Sequence, residues 1–370
     1  MQIVEFGGGT LRFLDQPPHH APEGGFVWIF LERDSLEAQL PVLQRAAQAI
    51  GGSPLLDLHL KDLANRSHPS RYDYTSIYDL VVFRRLATEE EVRVELGETG
   101  PPRTTPLGGF GRIRTRAVGF VVFDRLLVTV HPGGCFTARS FIARYLADAL
   151  HSEGLMNAAA RSRLPTSPAD LMLRMLNLMV DSYLELRKEL SAELDDWQQK
   201  LLAPGARGAD WGALMTARNA LHSLEDLSEG QNDAMQEWLD TQREQPAPWM
   251  SQAERDGLLA RARDVVEHIQ RVVLHVRRME GSAETAVQIH FSALGNRTNE
   301  IMQTLTALTA IFLPLNLIAG VFGMNFEFLP FIHRETGFWW TMGTMGTIAL
   351  VLGVVFWRKR YLARIGVGTR

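Results

Sequence analysis

Residues 302–325 run MQTLTALTAIFLPLNLIAGVFGMN. The apolar part, Met302 to Phe322, is about 20 residues long, ~30 Å as an α-helix and enough to cross the hydrocarbon of a bilayer. A second apolar segment of similar length follows from Phe338 to Trp357. Two such segments, close together at the end of a chain otherwise soluble in character, describe a membrane-spanning helical hairpin. Gly323-Met324-Asn325 closes its first arm.

Charge orients the hairpin. After Trp357 come Arg358, Lys359, Arg360, Arg364 and Arg370 with no acid, a net of +5; the whole chain carries −4, so the remainder carries −9. Basic residues directly after a span mark the cytoplasmic side. Two spans return the chain to the side it left. The expectation is a multi-pass protein of the inner (cytoplasmic) membrane with both termini cytoplasmic, an external loop at 323–337, and lipid as a partner. An acidic soluble part gives nucleic-acid binding no support. Met1 to Leu14 holds Glu5, three glycines and no apolar run, so a secretory leader is not expected there. The lone Cys135 forms no internal disulfide and reads as a small core residue in a reducing compartment.

Upstream of the spans the pattern is of long helices. Ser251-Gln252-Ala253-Glu254 has capping-box spacing, and no proline follows until Pro314. Leu258, Ala262, Val265, Ile269, Val272, Val276, Met279, Ala283 and Ala286 recur at alternating steps of four and three, a heptad seam that needs packing partners along its length. Carried to Phe322, this helix would be ~70 residues and ~105 Å long. Ser167-Pro168-Ala169-Asp170 starts another helix that Pro204-Gly205 stops near Leu202, and a third runs from Trp211 to about Arg243.

Residues 1–155 read as an α/β domain. Strands are expected at Phe26–Leu31, Ile77–Leu86, Ala117–Phe123 and Leu126–Val130, with helices near Ser35–Ile50 and Thr137–His151. Gly97–Gly111 reads as a loop, and Gly7-Gly8-Gly9 as a turn rather than a phosphate loop. The expected order is thus the α/β domain, a helical hairpin at 156–250, the stalk and first span at 251–322, the loop, the second span at 338–357, and a basic tail at 358–370.

One face of the first span is polar. Asn299, Met302, Thr306, Thr309, Leu313, Asn316 and Gly320 follow steps of three and four, and four of the seven are polar. A polar stripe facing lipid is costly, so it should face protein or water. Spacing alone leaves helix–helix adhesion and a pore equally open.

The stretches Asn296-Arg297-Thr298-Asn299-Glu300-Ile301-Met302, Phe312-Leu313-Pro314-Leu315 and Ile318 to Glu327, with Gly323-Met324-Asn325 inside the last, resemble the signature of the CorA family of divalent-cation channels. The resemblance is dense over Asp264–Glu327 and weakest in the first 60 residues. It implies a homopentameric funnel with a cytoplasmic α/β domain, long stalk helices and two transmembrane helices per subunit. The stripe then lines the pore, and Gly323, Met324, Asn325 and Glu327 form its outer mouth. Met302 and Leu313 are apolar collars able to gate by dewetting. Asn316 departs from the Thr common in relatives. His333-Arg334-Glu335 adds positive charge where an acidic loop is expected. The resemblance further implies passive, potential-driven Mg²⁺ influx, with Co²⁺ as co-substrate and Ni²⁺ or Zn²⁺ as further ions. Closure comes from divalent ions bound between subunits. The gap-free alignment puts Asp264 at the stalk ligand position; Glu89, Glu90 and Glu91 are partner candidates. Arg358, Lys359 and Arg360 form a basic collar, which ordinary topology determinants would resemble.

Three rivals remain. A Zn²⁺ transporter of the ZntB branch would use His or Cys; His268 and His275 share a stalk face and His290 falls on the seam, but none lies on the stripe. An enzyme could use His19-His20 or His59 to Asp62, yet no HExxH, nucleophile elbow or Walker loop is present. A membrane-anchored coiled-coil scaffold explains the stalk and leaves the stripe unexplained.

Overall fold

In the computed structural model, the described residues are 1–8, 10–88, 91–92, 109–134, 143, 164–202, 211–245, 247–248, 250–324 and 335–358. The helix expected at Thr137–His151, Cys135 and most of the Gly97–Gly111 loop lie outside them. The chain divides into two compact units, Met1–Asp196 with Asp210–Glu284, and Trp197–Ala209 with Thr285–Arg370.

The first unit is built on a seven-stranded sheet. Its strands are β1 (Gln2–Gly7), β2 (Thr10–Leu14), β3 (Phe26–Glu32), β4 (Arg71–Tyr74), β5 (Asp79–Leu86), β6 (Thr115–Val122) and β7 (Leu126–His131), in the order β2-β1-β3-β7-β6-β5-β4. β3 and β7 pair in parallel, Val27 opposite Leu126 through Glu32 opposite His131, and every other pair is antiparallel. The four expected strands are the four central ones. Both faces of β3 and β7 are covered, so they read as unbroken apolar runs. β2 and β4 escape a reading by composition because they are the two edges of the sheet and carry charge, here Arg12, Arg71 and Asp73, as edges must; β1, paired on both sides, escapes because Glu5 interrupts a short apolar run. Gly8, at φ +60°, turns β1 into β2, as the glycine triplet predicts.

One face of the sheet packs on α1 (Leu36–Ala46) and the short α2 (Asp57–Ala64). Leu36, Leu43, Ala46 and Leu63 meet Ile29, Leu31, Val128 and Val130 there. α2 comes so close that a Cβ on Gly119 would sit 2.2 Å from Leu63 Cδ2. Toward the other edge lie α3 (Pro168–Leu202) and α4 (Trp211–Glu244). Ser167 Oγ accepts the Asp170 N–H at 3.2 Å and caps α3 as expected. Gln231 of α4 donates to the Arg84 carbonyl of β5 and to Tyr183 Oη of α3.

α5 runs unbroken from Gln252 to Phe322, 71 residues with Pro314 inside it. Its capping box is present: Ser251 N–H donates to Glu254 Oε2 at 3.0 Å, and Glu254 N–H to Ser251 Oγ at 3.4 Å. Within the first unit the seam from Leu258 to Ala283 is buried. Its partners are α3 and α4 of the same chain, joined by Arg261–Asp170, His268–Asn177 and Arg277–Glu225 contacts. The seam is thus satisfied internally and is no sign of association between copies.

In the second unit, the end of α5 packs beside α6 (Glu335–Arg358). These are the two described helices long and apolar enough to cross a membrane. Ala307 is buried, and Thr304, Ile311, Pro314 and Ile318 are partly covered, which marks one face of α5. Gly337 is buried, and Thr341, Met345, Ile348, Leu352 and Phe356 are partly covered on α6. Most of the rest of α6 is exposed and largely apolar, with Trp339 and Trp340 at one end and Trp357 at the other. Tryptophans at both ends match a helix anchored at two membrane interfaces.

Candidate functional site

The seven stripe residues all lie on α5, and all are exposed in the single chain, Met302 at 56% and Leu313 at 69%. At 100° per residue the stripe's mean direction falls ~150° from the face that α6 covers. The polar face therefore points away from the other helix of the hairpin. Adhesion within the hairpin is excluded as its purpose.

The hydroxyls on this face are already committed as donors. Thr306 Oγ donates to the Met302 carbonyl at 2.8 Å and Thr309 Oγ to the Leu305 carbonyl at 2.9 Å. What they offer outward is lone pairs. Waters around a cation present their hydrogens outward, so acceptor-only oxygens suit them. Stripe positions Asn299 to Gly320 cover ~31 Å along the helix.

α5 ends at Phe322, and Gly323 N–H closes back on the Ala319 carbonyl at 2.9 Å. A Cβ at Gly323 would lie 2.9 Å from that same oxygen. Glycine is the residue that lets the backbone turn this tightly at the end of the stripe. Met324 follows, 49% exposed. Asn325 and Glu327 lie outside the described residues, as do Lys359, Arg360, Glu89 and Glu90; Arg358 is exposed at the end of α6.

Asp264 is exposed on α5, 3.9 Å from His268 Nε2. It points off the buried seam, so its carboxylate is open to a ligand from outside this bundle. Glu91 is differently placed. Its two oxygens accept from Arg85, at 2.8 and 2.5 Å, and Oε2 also takes the Thr88 N–H. Burial opposes its charge, but the guanidinium and that N–H hold its carboxyl below the usual range. Glu91 neutralises an arginine that is almost wholly inside, which leaves it poorly suited to ligate a metal from another subunit.

The residues considered for an enzyme are structural or dispersed. His19 and His20 are exposed in a loop. His59 is buried, its Nδ1 2.9 Å from Tyr78 Oη and its Nε2 3.5 Å from Asp73. His68 binds its own neighbour's carbonyl and Asp62. His268 and His275, read as one stalk face, bond to α3 through Asn177 and Ser191.

An α/β unit whose last helix ends in a two-helix apolar hairpin, with a polar stripe turned from the second helix, is the architecture of a membrane protein. The model of one family, described as CorA-like Mg²⁺ transporter protein, matches residues 23–360, and the chain belongs to that family. Curated relatives include the cobalt/magnesium transport protein CorA of Thermotoga maritima, 35% identical over 27% of this chain and 28% of its own length. The cobalt/magnesium transport protein CorA of Methanocaldococcus jannaschii is 22% identical over 68% of this chain and 73% of its own. The chain thus matches under a third of the first of these proteins. The complete structure of the M. jannaschii CorA magnesium transporter shares the fold, with a TM-score of 0.71, 18% identity, and 96% and 97% of the two chains covered. Full-length CmaX shares it at a TM-score of 0.64, 17% identity and 97% of each chain. The ZntB cytoplasmic domain of Vibrio parahaemolyticus matches at 0.52 and 13% identity, covering 81% of this chain and 98% of that domain.

Proposed function

We propose that this chain is a passive influx channel for Mg²⁺, with Co²⁺ as a second substrate, assembled as a homopentamer around the α5 stripe. The observation that carries the reading is that stripe: four neutral polar residues in or beside a span, exposed in the single chain and turned from α6. Copies of α5 around an axis would enclose it. Mg²⁺ sheds its waters reluctantly and prefers octahedral oxygen ligands. Rings of amide and hydroxyl oxygens can hold the hydrated ion through its waters. Rings of carboxylate would bind it too firmly for exit.

Asn325 forms the outer ring in this reading, with Glu327 drawing cations to the mouth. Asn316, Thr309 and Asn299 follow inward, and Met302 and Leu313 are the dewetting collars. The soluble unit and both termini lie in the cytoplasm, with Arg358, Lys359 and Arg360 at the inner face of the membrane. Ion bound at Asp264 closes the path when cytoplasmic divalent ion is plentiful. No energy-coupling site is required. A cytoplasm-negative potential of ~100 mV supplies ~4.6 kcal/mol for a divalent ion, a gradient of roughly 2,000-fold.

The test is uptake into proteoliposomes holding a divalent-sensitive dye, with Mg²⁺, Co²⁺ and Zn²⁺ compared. Mg²⁺ uptake that rises with an inside-negative potential and collapses in Asn325→Ala is the expected result. Zn²⁺ uptake alone, dependent on a pH gradient, would assign the chain to ZntB-like transport. Intact oligomers that admit no metal would leave a scaffold.

A further inference from the structure

A second set of metal-binding groups lies in the first unit, where α4 faces α5. His222 and Glu225 are three residues apart on α4 and share a helix face. Glu280 of α5 meets them, with His222 Nδ1 3.6 Å from its Oε1. One ligand atom from each of the three lies within 4.8 Å of the others. Ligand atoms at ~2.0–2.2 Å from one ion stand ~3.5 Å apart in tetrahedral geometry. Small side-chain rotations would bring these three to that spacing.

Two further features point to an ion. The remaining imidazole nitrogen, Nε2, faces Asp226 Oδ2 at 3.9 Å, one turn along α4. A carboxylate behind a histidine, once closed to hydrogen-bond distance, fixes the tautomer and ring of a metal ligand. Glu225 and Glu280 also bring two carboxylates to within 4.8 Å of one another. Two carboxylates at that spacing repel one another, and a cation between them relieves the repulsion. Arg277 offsets only part of this charge, since it divides itself between Glu225 and Glu229.

We propose that His222, Glu225 and Glu280 bind a late first-row divalent ion, Co²⁺, Ni²⁺ or Zn²⁺, that clamps α4 to α5, with water completing its coordination. The donor set selects the metal. Imidazole suits these ions, whereas Mg²⁺ prefers oxygen alone. Arg277 beside Glu225 and Arg218 near Glu280 lower the negative field on which a hard ion would depend. The site lies wholly in the first unit, ~24 Å along α5 from Asp264.

The test is Co²⁺ binding to the full-length protein in detergent, measured by equilibrium dialysis under excess Mg²⁺, with the visible Co²⁺ absorption recorded alongside. Wild type should retain about one Co²⁺ per chain that Mg²⁺ does not displace, with a band characteristic of nitrogen ligation. His222→Ala and Glu280→Gln should each weaken it by ~10-fold or more, and Asp226→Asn by about 10-fold through loss of ring positioning. His222 is largely exposed, so its removal does not threaten the fold. Unchanged Co²⁺ affinity in His222→Ala, or complete displacement by Mg²⁺, would overturn the assignment. Transport is not the readout, so failure here is distinct from failure of the channel.

Discussion

Asp79 opens β5 at the junction between the sheet and α4, and its titration should govern the stability of that junction. Its Oδ1 accepts from Tyr72 Oη at 3.1 Å, while Oδ2 accepts from Trp238 Nε1 at 3.1 Å and Gln242 Nε2 at 2.9 Å. Burial outweighs these donors and lifts the carboxyl from 3.8 to about 6. Between those values the folded chain binds a proton that the unfolded chain has released. Stability from this group is therefore complete below about pH 4, falls as pH rises, and is lost above about pH 6. The shift of roughly two units corresponds to about 3 kcal/mol. Asp79→Asn keeps the contacts without the buried charge. The amide oxygen can accept from Trp238 and Gln242, and the amide nitrogen can donate to Tyr72 Oη. The expected outcome is a variant matching wild type near pH 4 and more stable at pH 7 by up to about 3 kcal/mol, at roughly 2–4 °C per kcal/mol. Thermal unfolding of the full chain in detergent, followed by near-ultraviolet circular dichroism from pH 4 to 8, measures the difference. Identical pH profiles, or an asparagine variant less stable at pH 7, would refute the reasoning.

Glu91→Ala removes the partner of an arginine only 2% exposed. Chemical denaturation should show a loss of about 3–5 kcal/mol, and a larger loss than Glu91→Gln. Gly119→Ala drives a methyl group into Leu63 and should cost about 1–3 kcal/mol, partly recovered when paired with Leu63→Ala; additive losses in the double variant would contradict the close approach. On the stripe, Thr309→Val keeps the shape and removes the outward oxygen. Mg²⁺ uptake into vesicles should fall while the oligomer elutes unchanged in gel filtration, whereas Ile311→Val on the α6-facing side should leave uptake near wild type.

The sequence alone determines the features that depend on neighbouring residues. Each span is a matter of length and polarity, so Met302–Phe322 and Phe338–Trp357 are legible without tertiary information. Helix boundaries are local too: Ser167 and Ser251 cap the nitrogens they precede, and α3 ends before Pro204-Gly205. The covered central strands declare themselves as apolar runs. The charged edges β2 and β4, and the eight-residue α2, do not, because each is too short for a period to stand out.

Tertiary structure decides what each face meets. The heptad seam of α5 shows that a side of the helix is apolar, not whether its partner is another copy or α3 and α4 of the same chain. The polar stripe likewise leaves open whether it meets α6 until α6 is seen to cover the other side of α5. Glu91 reads as one acid in a run of three until Arg85 claims it. His222 and Glu280 have no spacing in common, and only the packing of α4 on α5 sets an imidazole beside two carboxylates. The physical reason is the same throughout. Periodicity along a helix specifies a direction, whereas a partner in that direction is supplied by residues distant in the chain and fixed only by packing.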